Sequence, residues 1–88
     1  MFNFSIKEIN RQRIKNIYFE KNTLLIEYLS GFKYSYGNIS FYLVKDHLEN
    51  IIKGIKRNNY CLIDDTLHLL FSVLDEYPCT IESSSIEI

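Results

Sequence analysis

Alanine and tryptophan are missing from the chain, and glycine, proline and cysteine are scarce: three, one and two among 88 residues. Each scarcity removes a class of function. Gly31, Gly37 and Gly54 are too scattered for a phosphate-cradling loop, which needs closely spaced glycines ahead of a helix. Cys61, Cys79, His47 and His68 include no pair at the roughly two-to-five-residue spacing of zinc ligands, so no metal and no cofactor is expected. The two cysteines are expected to be reduced, buried thiols rather than a disulfide. No stretch approaches the roughly 18 unbroken apolar residues of a membrane helix. Lys7 and Glu8 interrupt the N-terminus before the core of a signal peptide can form. A cytoplasmic protein of one domain, residues 1–88, is the expectation.

Basic residues are also absent from one part of the chain. Residues 1–57 hold all ten Lys and Arg against five acids, a balance of +5; residues 58–88 hold six acids and no Lys or Arg, a balance of −6. The near-neutral total therefore conceals two segments of opposite sign, which either pack together and neutralise one another or shape a surface field that selects partners.

What the chain has in quantity is apolar and aromatic: 47% hydrophobic residues, with seven Tyr and six Phe. That excludes disorder, which goes with low hydrophobicity and high net charge. The favoured Ile, Asn, Lys and Tyr are the residues of an AT-rich gene.

Residues 14–20 (IKNIYFE) are β-branched and aromatic, Lys21-Asn22 reads as a turn, and residues 23–29 alternate as a second strand. Ser30-Gly31 separates this from FKYSY, where Phe32, Tyr34 and Tyr36 share one face, opposite Lys33 and Ser35. FNFSI near the N-terminus alternates too and adds a short strand; KEINRQR fits a bend or a helical turn. Asn38 or Ser40 can cap the helix that follows. There Phe41, Val44, Leu48, Ile51, Ile52 and Ile55 fall within an arc of about 100°. Asn58-Asn59 closes it, and YCLI (60–63) reads as a short buried strand. Residues 64–76 read as a second helix capped by Asp64 or Asp65 and ended before Pro78, with a last strand in CTIESSSIEI. The predicted fold is α+β: an antiparallel sheet, a three-strand meander plus C-terminal strands, with two helices packed on one face. Phe32, Tyr34 and Tyr36 then form the sheet face beneath the first helix.

Three surfaces compete for a function. His68 follows Asp64 and Asp65 by four and three residues, so a carboxylate can orient its imidazole, but no activated nucleophile or oxyanion donor accompanies it. Arg11, Arg13, Lys15 and Lys33 with Tyr34 and Tyr36 offer phosphate contacts and stacking for a single-stranded nucleic acid, against a sequence pI near 6.1. Asp64, Asp65, His68, Asp75, Glu76 and Tyr77 combine acids with an aromatic in a stretch lacking cations, a composition suited to a basic protein surface. The expected function is a non-enzymatic inhibitor that neutralises a basic partner such as a nuclease toxin or a defence effector.

Residues 14–40 resemble the opening of the KTSC family of small bacterial domains, a strand, a turn, a strand pair and a helix, through Leu24, Ile26, Tyr28, Ser30, Gly31, Tyr34 and Tyr36. In overall type the chain is also similar to bacterial immunity and phage anti-defence proteins, which implies a small α+β binder without a catalytic motif.

Overall fold

A computed structural model describes residues 2–6 and 10–82. The elements in chain order are β1 (Phe2–Ser5), β2 (Ile14–Glu20), β3 (Thr23–Tyr28), β4 (Lys33–Tyr36), α1 (Phe41–Lys56), α2 (Tyr60–Leu74) and β5 (Cys79–Glu82). The strands lie in the order β1-β2-β3-β4-β5, all neighbours antiparallel, and the helix pair is inserted between β4 and β5. The α+β architecture is as the periodicity predicts. Residues 83–88 of the expected last strand, and residues 7–9 of the expected bend, lie outside the described residues.

The turns follow from local chemistry. Lys21 and Asn22 both adopt left-handed backbone (φ 53° and 61°), the geometry of a two-residue hairpin whose twist suits its strands. Between β3 and β4, Gly31 at φ 100° donates its N–H to the Tyr28 carbonyl over 3.0 Å. At the start of β2 the buried Asn10 stands in for a strand neighbour. Its Oδ1 accepts from the Ile14 N–H (3.0 Å) and its Nδ2 donates to the Ile14 carbonyl (2.9 Å), beside a ladder irregularity between Ile14 and Asn16.

Period-two alternation gives the sheet two unlike faces. One register row runs Phe2, Phe19, Leu24, Tyr36, Cys79 and the next Phe4, Ile17, Ile26, Tyr34, Ile81; these look toward the helices. The Phe41 ring of α1 packs 5.5 Å from those of both Phe2 and Phe19. Ile17, Leu24 and Ile26 are fully buried with Val44, Leu48 and Ile51 of α1 and Leu67 and Leu70 of α2. Tyr36 is buried and Tyr34 packs against this core, as expected, but Phe32 precedes the strand and is 46% exposed. On the far face, Ser5 donates to Asn16 (2.6 Å), whose amide donates to Glu27 (2.8 Å), a polar row between strands.

Ser40, one of the two expected caps, starts α1 by accepting the Tyr42 N–H on Oγ (3.3 Å). The turn into α2 is short. Arg57 caps α1, Asn58 takes φ 52°, and Asn59 Oδ1 accepts the Leu62 N–H at 3.1 Å. Residues 60–63 are therefore the first turn of α2 and not a strand. Asn59 caps them, and Ile63 opens the helical period continued by Thr66, Leu67, Leu70 and Leu74, all buried. Asp64 and Asp65 accordingly lie past the cap position, and neither caps the helix.

The helices meet closely at Gly54. A Cβ there would lie 2.8 Å from Ile63 Cγ1 and 3.3 Å from the Asn59 carbonyl oxygen. Overpacking a site this tight costs about 1–3 kcal/mol, more than the roughly 1 kcal/mol of helix propensity that alanine gains over glycine. Gly54→Ala should therefore lower the thermal midpoint by several degrees, and an unchanged or raised midpoint in a melting experiment would contradict this packing.

Candidate protein-docking site on the second helix

Because the buried residues of α2 recur at three- and four-residue spacing, its opposite side forms one outward stripe. Cys61, Asp65, His68, Leu69, Ser72, Asp75 and Glu76 are all exposed. Four of the six residues singled out by sequence, Asp65, His68, Asp75 and Glu76, are thus brought onto a common surface. The other two are not. Asp64 turns toward the loop before β2, accepting the Arg11 backbone N–H at 3.0 Å with the Arg11 Nε 4.0 Å away, and its side chain is 22% exposed. Tyr77 is half-buried against the core. Leu69, 55% exposed on the same helix, was not singled out. Its signal was present: it is the one leucine of the LHLL run that misses the core spacing of Leu67, Leu70 and Leu74.

The charges of the stripe sit where the helix does not favour them. Asp75 is the C-terminal cap of α2 and Glu76 follows it, at the negative end of the helix dipole, and the last turn carries no basic residue. Carboxylates there cost roughly 0.3–1 kcal/mol each. By contrast, Lys53 and Lys56 in the last turn of α1 agree with its dipole.

The competing constellations are dispersed. Tyr34 stands edge-on to Tyr28 (centroids 4.9 Å apart) and Tyr36 is buried, both on the helix-covered side of the sheet. Lys33 lies in the register row of Glu27 on the other face, so the cations and the tyrosines do not form a common stacking surface. Glu27 itself stays ionised to lower pH than an ordinary carboxyl, chiefly because the Asn16 amide donates to it, with Lys15 and Lys33 adding to the effect. Beyond the helix backbone bonds, the Ser72 hydroxyl donates to the His68 carbonyl at 3.2 Å, and no described residue hydrogen-bonds the imidazole. Both cysteines are exposed, contrary to the expected burial: Cys61 is on the α2 stripe and Cys79 on the edge strand β5. Among the described residues no three His, Cys, Asp or Glu side chains group in a way that could hold a metal ion. No helix there is long and apolar enough to cross a membrane. A shallow hollow of about 230 Å³ beside the β2–β3 turn is lined by Phe19, Glu20, Lys21, Asn22 and Phe41. It is smaller than the roughly 300–1,000 Å³ of small-molecule sites and contains none of the candidate residues.

No family model, curated protein or solved structure matches the chain. The resemblance of residues 14–40 to the KTSC opening therefore stands on its hairpin residues alone.

Burial pushes the Tyr28 hydroxyl up to about 12, with nearby Tyr34 and Cys79 adding to the effect, and Tyr36 is raised too, again mainly by burial. The fold favours the neutral phenols. Their contribution is full below the unfolded tyrosine value of about 10 and is lost as pH rises from there toward the folded value. Urea midpoints at about pH 8 and about pH 11 should fall steeply for the wild type and less for Tyr28→Phe; equal losses would contradict the burial of this hydroxyl.

Proposed function

We propose that the protein is a non-enzymatic, cytoplasmic inhibitor of the immunity or anti-defence kind, which captures a basic protein on the outward stripe of α2. The observation that carries this reading is the placement of Asp75 and Glu76. They are exposed at the dipole-negative end of a helix, with no cation in the last turn, where folding alone disfavours them. Side chains that weaken the fold locally are explained by a use outside it. A basic partner, such as a nuclease whose surface binds phosphates, supplies the missing cations. Acidic Asp65, Asp75 and Glu76 steer its approach, and Leu69 adds apolar contact area beside them. Asp64 and Tyr77 act through the fold, tethering α2 and completing the core.

The reading predicts effects of opposite sign in one variant. Asp75→Lys/Glu76→Lys should raise thermal stability, because cations suit a helix C-terminus, by about 1 kcal/mol. The same change should slow association with the partner at least tenfold at low salt. Quantitative mass spectrometry of proteins captured from source cells by wild type and variant identifies that partner as the basic protein the variant loses. Equal capture of every bound protein by the two would refute the site.

A further inference from the structure

We infer that the outward face of the α1–α2 layer is also the interface of a two-fold homodimer, with the two layers stacked antiparallel. The inference rests on both helices together and not on the partner reading, which concerns α2 alone.

The outward stripe of α1 is Tyr42, Asp46, Glu49, Lys53 and Lys56, all exposed, at the three- and four-residue spacing that places them opposite the buried Val44, Leu48 and Ile51. Since α1 and α2 are joined by a three-residue turn, the two stripes lie side by side on one face of the molecule. That face is electrically divided along its length. At the turn end stand Lys53, Lys56 and Arg57, with Asp65 the one free carboxylate near them among the described residues, because Asp64 is engaged by Arg11. At the other end stand Asp46, Asp75 and Glu76, while Glu49 is paired with Lys45 at 3.5 Å. The described residues place no carboxylate within ion-pair distance of Lys53, Lys56 or Arg57.

A two-fold axis lying in the plane between two such faces, and running across the helices, sets the cationic end of one copy on the anionic end of the other, twice. An isologous contact requires such self-complementarity. The same face also carries exposed apolar groups: Tyr42 at 84%, Leu69 at 55% and Leu43 at 37%. A helix of 16 residues is about 24 Å long and packed helices lie about 10 Å apart. The layer thus offers about 500 Å² per copy, so both copies together bury about 1,000 Å², the size of a weak, reversible dimer. A basic partner on α2 would displace the second copy, since both cover Asp75 and Glu76.

Sedimentation of the full chain from about 10 µM to about 1 mM tests this, at about 20 mM and about 500 mM salt. The wild type should shift from one to two protomers with concentration, and high salt should reverse the shift. Lys53→Glu/Arg57→Glu and Asp75→Lys/Glu76→Lys should each weaken self-association at least tenfold, because each opposes like charges at both contacts. Mixed in equal amounts, the two variants should form a heterodimer, since both of its contacts are again of opposite sign. Circular dichroism shows whether these surface changes leave the fold intact. A wild type that remains monomeric throughout at low salt, variants that dimerise like the wild type, or a mixture that stays monomeric would each overturn the proposal.

Discussion

The contact between Gly54 and Ile63 decides what the second helix shows to solvent. Only a residue without Cβ lets the backbone of α1 come this close to the first turn of α2. The short turn allows little slack, because Asn58 is left-handed and Asn59 immediately caps the new helix. With Ile63 seated, the helical period commits Thr66, Leu67, Leu70 and Leu74 to the interior. Asp65, His68, Ser72 and Glu76 must then point outward. A second tether, the Asp64 carboxylate on the Arg11 backbone N–H, holds the same roll from the side of the sheet. The exposed acidic stripe is therefore a consequence of packing, and its location does not depend on where any single acid prefers to be.

The sheet supplies the platform for this helix pair. Its helix-facing rows are aliphatic and aromatic, while the far face carries the hydrogen-bonded row from Ser5 through Asn16 to Glu27. A one-residue slip would exchange these faces, so register and burial enforce each other. Asn10 closes the row of ladder bonds at Ile14, where the strand geometry is irregular. Against this consistency the acids ending α2 stand out. Asp75 and Glu76 lie against the dipole of the helix they end, with no cation in its last turn.

Most of the fold was legible in the chain. Alternation in residues 14–36 and the apolar arc of residues 41–55 located β2, β3, β4 and α1 closely, because in each case one face is buried and the period is unmistakable. The start of α2 was not legible, since a four-residue apolar run such as YCLI has too few turns to show a period. The cap signal existed in Asn59, but an asparagine between two helices reads equally well as the end of the first. The site divides in the same way. Asp65, His68, Asp75 and Glu76 could be grouped by helical angle alone. That Asp64 is occupied by Arg11, and Tyr77 by the core, depends on contacts between segments distant in sequence, which no local pattern contains. The exposure of Cys61 follows from the corrected start of α2, since a strand would have buried it.

The central claim is that the outward stripe of α2 is the surface through which this protein acts. The most direct measurement is a nuclear magnetic resonance titration of the isotope-labelled protein with its captured basic partner. The account predicts shifts concentrated at Asp65, His68, Leu69, Ser72, Asp75 and Glu76, with the far face of the sheet undisturbed. Shifts centred on Asn16, Tyr18, Glu27 and Lys33, with α2 unaffected, would contradict it.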